Sequence, residues 1–469
     1  MDKIKIEDNI KVPSNLDEYI LRGVDEGEKV NNLKRKNNNT FKPIKAAAII
    51  GIVSLSTITT AYAVNKIIEY FEIKNDSIYQ YEKDAFLTYS NEVNLSKKDK
   101  GIEFKIDTIA VDDGFFNMTY TITSDKKIAD IDKEYNRAFV ANPMIKIIKD
   151  DKIVNFNESI STVNTEATFE SEYVLKGILR NPITETEIRN GATLTIDFDH
   201  IFGEKGNWKI DIRLDEKLIS SKSQKYIINK TKDIVKPEQY DFDTKNDKPK
   251  YKDVKINYTI DNVVLSPFGS LITISEKTSD LINKMPVKIG SMFVLRDDKG
   301  NYLDVIENIG NFPDKVNKPV TNTYEFIRKG DDIKSLTLIP FVYGDEPSGF
   351  SEKVDINKLP NTSEVSKYGK VTIEDFNVTD DEIIYTYKKD GAVPGKVYLE
   401  FYDKEGKDII IGGMTEDFVN RKDGTHTMRY NLTQKKYKDM AKKIKYILLR
   451  KDTRLKLLED QSIEFELKR

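Results

Sequence analysis

AAAIIGIVSLSTITTAYAVN, residues 46–65, is the stretch that divides this chain, because it carries no charge in a protein where 33% of residues are charged. About 20 residues at a rise of about 1.5 Å span roughly 30 Å, the thickness of the hydrocarbon core of a bilayer. The charged residues from Lys29 to Lys45 are all basic, which by the positive-inside rule keeps this end in the cytoplasm. The sequence therefore predicts a transmembrane helix at 46–65, with the residues after it outside the cell.

Two other interpretations of residues 46–65 compete with a transmembrane anchor. Ala61-Tyr62-Ala63 fits the small-x-small pattern of a cleaved signal peptide, but the basic region before the apolar run is long for such a leader. A buried core helix is disfavoured because the run is apolar on every side and is followed by a polar, strand-rich chain. An anchor and a signal peptide both export the residues that follow.

Composition limits the class of the exported part. The chain has 469 residues, which predicts roughly three domains, and its 75 basic and 78 acidic side chains give no basic excess that would favour nucleic acid as a partner. Cysteine is absent, which excludes disulfides, thiolate metal sites and a cysteine nucleophile. The exported domains must therefore be stabilised by apolar cores, for which 24 tyrosines and 22 phenylalanines supply large side chains.

The predicted cytoplasmic tail, residues 1–45, contains one short helix signal. Asn15 fits an N-cap, and Glu18 completes a capping box. Four apolar residues then follow the spacing of a single helix face: Leu16, Tyr19, Ile20 and Val24. So short a helix is marginal alone in water, and we expect this apolar stripe to fold into a groove of a protein partner. The inner membrane surface is the alternative, and it is disfavoured because the polar face of the helix is acidic.

Three blocks after the span share one arrangement, in which apolar and polar residues alternate on both sides of a tight turn and a further alternating strand closes the block. The hairpins are 102–122, 254–274 and 371–387, and the closing strands are 208–214, 336–341 and 463–467. The period of two indicates strands with one buried face. The repetition predicts mainly β structure in three consecutive β-sandwich domains.

The composition between the blocks sets the predicted domain limits. Lys217–Lys252 and Asp345–Lys370 are rich in Lys, Ser, Asn, Pro or Gly and are interpreted as linkers. Trp208 is predicted to lie in the first core. The last block also contains a helix signal, capped by Thr433, with Tyr437, Met440, Ala441 and Ile444 on one face. The predicted parts are 1–45 (tail), 46–65 (transmembrane helix), 66–235, 236–365 and 366–469 (first, second and third outer domains).

Residue types used in catalysis are present, but their spacing favours no active site. His200 and His426 are isolated from any serine elbow or metal-spaced cluster, so each is interpreted as a surface or strand-end residue. Asp112-Asp113 and Asp380-Asp381 stand where tight turns favour Asp. We therefore expect no enzyme, no cofactor and no metal site.

The helix of the last block is rich in lysine. Asp439 is the one acid among six lysines: Lys435, Lys436, Lys438, Lys442, Lys443 and Lys445. On an exported domain this cluster is a candidate contact for an anionic wall polymer or lipid headgroups. The simpler interpretation is the solvated face of a short helix.

The order of these features resembles the bacterial membrane proteins of domain-of-unknown-function family 4179. The resemblance is carried by Val12–Lys29, by the span at Lys45–Asn65 and by the strands through Ile122, while Leu265–Ser270 resembles an immunoglobulin-like module often found downstream in such proteins. It implies a single-pass anti-sigma factor with three immunoglobulin-like domains outside the cell. Its tail would bind an extracytoplasmic-function sigma factor, without zinc because no HxxxCxxC pattern is present.

A function of another class competes with this regulator. The outer domains would also suit a structural or adhesion protein of the cell envelope, which binds an envelope ligand and has no regulatory tail. Deletion of residues 1–30 distinguishes the two functions, because only a regulator would then change the transcription of a defined set of promoters.

Overall fold

The computed structural model describes the following residues: 50–51, 85–86, 88–132, 144–149, 152–157, 164–183, 191–214, 222–243, 248–278, 281–282, 285–286, 292–310, 319–344, 349–412, 415–421 and 423–468. The described part is mainly β, as predicted, and residues 50–469 form one compact unit. The tail with its stripe at Leu16, Tyr19, Ile20 and Val24 lies outside the described residues.

The first sandwich consists of two five-stranded sheets that share one apolar core. The sheet orders are β2-β3-β4-β8-β7 and β1-β10-β9-β5-β6, and a short helix α1 (Ile128–Ile131) follows β4. The strands are β1 (Ile50–Gly51), β2 (Asn91–Asp99), β3 (Ile102–Val111), β4 (Phe115–Ser124), β5 (Met144–Lys149), β6 (Lys152–Asn157), β7 (Asn164–Ser171), β8 (Val174–Pro182), β9 (Thr193–Ile201) and β10 (Glu204–Arg213).

Trp208 lies in this core, as predicted. Its side chain is fully buried, and its indole N–H donates to the carbonyl of Ile102 at 2.9 Å, which joins β10 of one sheet to β3 of the other. The ring of Phe104 packs on that of Phe198 with centroids 4.7 Å apart, again across the two sheets. The alternation in β3, β4 and β10 therefore places its apolar residues in the shared core.

The predicted transmembrane helix at 46–65 lies outside the described residues except at two positions. Ile50 and Gly51 are extended there and pair in parallel with β10, opposite Asp211 and Ile212. These two residues thus differ from the predicted helix. Within the described ranges, no helix has the length and hydropathy of a membrane span.

The second sandwich begins with a long hairpin and is built around the orders β11-β12-β13-β19-β18 and β17-β16-β20, with β14-β15 as a separate pair. Its buried residues come from both sheets, among them Tyr258, Ile272 and Leu338. The strands are β11 (Gln224–Asp243), β12 (Lys248–Ser266), β13 (Gly269–Lys277), β14 (Leu281–Ile282), β15 (Met285–Pro286), β16 (Phe293–Asp297), β17 (Tyr302–Leu303), β18 (Val305–Gly310), β19 (Val320–Phe326) and β20 (Ser335–Tyr343).

The interpretation of Lys217–Lys252 as a linker is wrong for most of its length. Residues Gln224–Asp243 form β11, and residues 248–252 begin β12, with which β11 pairs along its whole length. Because β11 is an edge strand, its outer side tolerates Pro237 and a high content of lysine. The same polar composition that suggests a linker is therefore compatible with a strand at the edge of a sheet.

The third sandwich has the orders β23-β24-β25-β29-β28 and β21-β30-β26-β27, with β22 also paired to β30. A 3-10 turn η1 (Ile356–Lys358) and helix α2 (Lys435–Ala441) accompany them. The strands are β21 (Gly349–Phe350), β22 (Val354–Asp355), β23 (Asn361–Ser366), β24 (Gly369–Val378), β25 (Glu382–Gly391), β26 (Leu399–Tyr402), β27 (Asp408–Ile409), β28 (Thr415–Val419), β29 (His426–Asn431) and β30 (Tyr446–Lys451).

Two details of this sandwich bear on the predictions. The interpretation of Asp345–Lys370 as a linker is wrong for its described part, because β21, β22, η1 and β23 lie within it. Helix α2 is present with the predicted buried face, since Ala441 and Ile444 are buried and Tyr437 and Met440 pack against the core. Its N-cap is Gln434 rather than Thr433, and no side chain caps it.

The chain then returns to the second sandwich. After β30 come β31 (Leu455–Leu457), a 3-10 turn η2 (Glu459–Gln461) and β32 (Ile463–Glu466). Both β31 and β32 pair with β20, and Ile463 and Phe465 are part of the second core. The assignment of 463–467 to the third block is therefore wrong, because alternation marks a strand but does not say which sheet it joins. The third sandwich is an insertion between two strands of the second.

Candidate functional site: the junction of the three sandwiches

Two hairpin turns meet between the first and second sandwiches. After β3, one carboxylate oxygen of Asp112 accepts from the N–H groups of Gly114 (2.7 Å) and Phe115 (2.9 Å). At the end of β12, the hydroxyl of Ser266 accepts from the N–H of Phe268 at 2.9 Å and donates to the other oxygen of Asp112. Each turn therefore fixes its own backbone and also contacts the other turn.

The aspartates at this contact have the predicted turn role, but they are buried. Burial raises the pKa of Asp112 to about 6, and the hydrogen bonds from Ser266, Gly114 and Phe115 offset only part of that effect. Asp113 accepts at 2.9 Å from the hydroxyl of Ser223, which precedes β11. Both side chains thus join the first sandwich to the second, in addition to shaping the hairpin.

A buried carboxylate connects all three sandwiches. Glu325 on β19 accepts from both terminal nitrogens of Arg180 on β8, at 2.9 and 2.7 Å. On its other side it accepts from Arg421, which follows β28, through Nη2 at 2.9 Å and through Nε. Glu325 is 0% exposed and Arg180 is 1% exposed. Burial opposes ionisation of Glu325, but the two guanidinium groups outweigh it and hold the pKa of this carboxyl below its usual range.

The backbone at Gly269 approaches this ion cluster closely. Arg180 donates to the carbonyl of Phe268 at 2.9 Å and lies over the ring of Phe115 at 4.1 Å from its centroid. A Cβ atom at Gly269, where φ is +154°, would stand 2.6 Å from Arg180 Nη2 and 2.7 Å from Glu325 Oε1. Glycine is required here because a side chain would displace the ion pair.

An apolar cluster surrounds the same contact. Phe86 packs edge-on to Phe268 with ring centroids 5.7 Å apart, and Phe418 of the third sandwich lies against the cluster. The buried members are Ala85, Phe86, Ala110, Phe115, Ile178, Val264, Phe268 and Leu271. We call this cluster, the two turns and the Glu325 ion cluster the junction.

A second polar contact joins the second and third sandwiches. Asp304, between β17 and β18, accepts from Lys389 at 2.9 Å and lies 2.5 Å from Nε2 of His426. The other ring nitrogen of His426 is 3.2 Å from Asp417, and the ring stacks on Tyr387 with centroids 4.5 Å apart. The contact therefore combines two carboxylates, one ammonium and one imidazole.

His426 is a strand-end residue, as expected, but it is not on the surface, since it is 1% exposed at the start of β29. Its burial acts to lower its pKa, whereas the hydrogen bonds to Asp304 and Asp417 raise it, and the net pKa lies above the usual value. His200, in contrast, is partly exposed on β9 beside Asp199. No group of three or more potential metal ligands is found in the part of the chain that the structure describes.

The lysine cluster of α2 is partly neutralised by aspartates of its own sandwich. Lys442 lies 2.7 Å from Asp380, Lys438 pairs with Asp381, and Lys445 lies 2.9 Å from Asp355. The other three lysines of the predicted contact are exposed: Lys435, Lys436 and Lys443. The contact of this helix with an anionic surface stays a prediction, now with three lysines rather than six that have no acidic partner among the described residues.

The junction was missed by the sequence analysis because its members are far apart in the chain. Arg180 and Glu325 are separated by 145 positions, and Glu325 and Arg421 by 96. One signal was present: Glu325 stands between the aromatic residues Tyr324 and Phe326 in β19 (VTNTYEF), and a charge on a buried strand is costly unless it is paired.

Comparison with known families matches two parts of the chain. Residues 34–124 match a family described as a domain of unknown function (DUF4179), and residues 244–364 match a family of unknown function (DUF5643). The first match confirms the resemblance predicted from the sequence, although Val12–Lys29 lies outside the matched range. The second match contains Leu265–Ser270.

Comparison with individual proteins adds little. The search of curated proteins gave no match. The crystal structure of the conserved domain protein from Bacillus anthracis is similar over 57% of this chain and 82% of that chain, with 13% identity and a TM-score of 0.34. The chain is thus similar to DUF4179 proteins as far as the end of β4, and to DUF5643 proteins over much of the second sandwich.

Proposed function

We propose that this protein is a single-pass membrane regulator of the anti-sigma type. The tail binds an extracytoplasmic-function sigma factor through Leu16, Tyr19, Ile20 and Val24, and the sandwiches sense or bind at the envelope. Residues 46–65 cross the membrane, which requires Ile50 and Gly51 to leave their pairing with β10. The DUF4179 match and the basic residues before an uncharged run support this proposal. The sandwiches, which we further propose to be immunoglobulin-like, act as a binding unit and not as an enzyme.

One observation carries the proposal for the outer part. Glu325 joins all three sandwiches through the buried Arg180 and the partly buried Arg421, so the outer residues form one unit rather than a flexible string of domains. A buried ion cluster of this kind fixes orientation, because moving one domain would leave a charge unpaired. A sensor needs such a fixed unit, since a ligand held on one domain must change what the membrane-proximal domain presents.

The test uses the full chain in its native host. We expect the pair of substitutions Leu16→Asp and Ile20→Asp to abolish copurification with one identified sigma factor and to raise transcription from the promoters of that sigma factor. The matched control is Asp25→Asn with Glu26→Gln, which changes the polar face of the same predicted helix and keeps both outcomes unchanged.

A different result would favour the envelope protein. If neither transcription nor the set of copurified sigma factors changes in the Leu16→Asp, Ile20→Asp variant, the tail has no sigma-binding role. The outer domains would then carry the whole function, as expected for a structural or adhesion protein.

A further inference from the structure

A cleft of about 770 Å³ lies between the second and third sandwiches. Its walls come from β16, β17, β18 and the segment after β19 on one side, and from the end of β25 with the loop that follows it on the other. This volume is within the range of about 300–1,000 Å³ that small-molecule sites occupy. Contacts between domains are also a common place for such sites.

The floor of the cleft is apolar and continues a buried cluster. Val294, Phe341 and Ala392 are buried between the two sandwiches, and Met292 and Tyr302 at the edge of this cluster are only partly buried and line the cleft. Ile306, Val393 and Pro394 add partly exposed apolar surface. The apolar contact between the sandwiches is thus left open on one side, where it can bury an apolar group of a ligand.

In the described part of the chain, four cationic side chains and two carboxylates line the cleft: Arg328, Lys329, Lys388 and Lys389, with Asp304 and Asp423. Asp304 is already neutralised by Lys389 and His426, and it offers little attraction to a cation. Lys329 is exposed, and in the described part of the chain it has no ion pair. Arg328 donates through Nη2 to the carbonyl of Ser266 at 3.0 Å. Its Nη1 lies 3.3 Å from Asp331, a side chain that is 96% exposed, and such an ion pair is weak in water. Lys388 pairs with Glu374, and Asp423 is the one acid left among the described residues of the rim.

We propose that this cleft binds a small organic anion with an apolar body, such as an aromatic or aliphatic acid. The apolar body packs on Met292, Tyr302 and Val393, and the acid group lies at the rim near Arg328 and Lys329. This proposal deepens the proposed function, because it gives the outer domains a class of ligand. It rests on the proposed function in one respect only, namely that the cleft lies outside the cell and meets its ligand there. The tail takes no part in it.

The experiment measures binding to the full chain in nanodiscs of zwitterionic phosphatidylcholine, with empty nanodiscs subtracted. The probe is 2-naphthalenesulfonate, titrated by calorimetry beside 2-naphthylmethylammonium, which has the same rings and the opposite charge. We expect one saturable site for the sulfonate. We expect the ammonium to bind at least about tenfold more weakly, because reversing the charge of the ligand turns attraction to the rim into repulsion at contact distance, which changes the affinity by about this factor.

Variants locate the site. Lys329→Glu weakens sulfonate binding about tenfold, and Pro394→Trp, which fills the cleft, abolishes it. Lys404→Glu, at an exposed turn of the third sandwich, is the matched charge reversal and leaves the affinity unchanged. Lys329 is exposed, so its variant keeps the fold, and a thermal melt verifies this.

Three results would overturn the proposal. They are the absence of saturable sulfonate binding at millimolar probe, equal binding of the ammonium, and sulfonate binding that neither Lys329→Glu nor Pro394→Trp changes. None of these results bears on the tail and its sigma factor. A failure of sigma binding, in turn, leaves the calorimetric result unchanged.

Discussion

The buried carboxyl group of Asp112 destabilises the folded protein at neutral pH, where it is ionised. Its pKa is about 6 in the folded protein against an ordinary value of 3.8, so the folded state holds a proton that the unfolded state has lost between these two pH values. The contribution of Asp112 to the free energy of unfolding therefore falls as pH rises from about 4 to 6, by about 3 kcal/mol in total. Asn at this position still accepts from the two backbone N–H groups but does not titrate.

We predict that Asp112→Asn removes this fall in stability and leaves the fold intact, whereas Asp112→Ala destabilises the protein at every pH because two backbone N–H groups lose their acceptor. Urea unfolding at a series of pH values from 4 to 7 measures both effects. A slope that is the same in the wild type and in Asp112→Asn would show that Asp112 titrates normally.

Glu325 is the residue on which the junction depends most. Its replacement by Gln leaves Arg180 buried with an unpaired charge, and breaking a buried ion pair in this way costs about 3–5 kcal/mol. We expect Glu325→Gln to lower the free energy of unfolding by this amount in urea titrations. The control is Glu459→Gln, which breaks a half-exposed pair with Arg296 and should cost less than about 1 kcal/mol.

At the scale of elements, the pairing of β32 with β20 predicts which strands are destabilised by a mutation in β32. Phe465 on β32 is 4% exposed in the second core, and truncation of a buried Phe costs about 3–5 kcal/mol. We expect Phe465→Ala to reduce hydrogen-exchange protection in β16 and β20 while β24 and β25 stay protected. Phe401→Ala, in the third core, should give the opposite pattern. Loss of protection confined to the third sandwich in Phe465→Ala would contradict the insertion.

The elements also show how far the sequence could be interpreted. Alternation placed the hairpins β3–β4, β12–β13 and β24–β25 correctly, because a strand with one buried face has a local signature. It failed for β11, where an edge position permits the composition of a linker, and for β32, whose pairing with β20 spans an inserted domain. The charges of the junction follow from tertiary contacts that no local pattern encodes, apart from the isolated acid in β19.

At the scale of the whole molecule, two titrating groups of the contacts between domains, Asp112 and His426, change the stability in a common direction with pH. The contribution of Asp112 to stability falls as pH rises from about 4 to 6, as argued above. The pKa of His426 lies above its usual value, because its hydrogen bonds to Asp304 and Asp417 outweigh burial, so its contribution is complete below about pH 6.5 and is lost as pH rises through the pKa of the folded state. Both groups therefore make the folded protein more stable at mildly acidic pH than at neutral pH.

The acids with lowered pKa values set the lower pH limit of the stable range. Burial opposes the ionisation of Glu325 and Asp304, but their cationic neighbours outweigh it, so both pKa values lie below the usual range. Their contribution is complete above the unfolded values of about 4 and is lost as pH falls through the folded ones. Together with the preceding groups, they predict a maximum in stability between about pH 4 and 5.

Thermal melts from pH 3 to 9 measure this maximum. His426→Gln keeps a polar side chain between Asp304 and Asp417 but does not titrate, so we expect the fall in melting temperature above about pH 6.5 to flatten in this variant while the fall between about pH 4 and 6 persists. Asp112→Asn should give the complementary result. A wild-type melting temperature that rises from pH 5 to 7 would show that groups away from the contacts between sandwiches dominate the pH dependence of this protein.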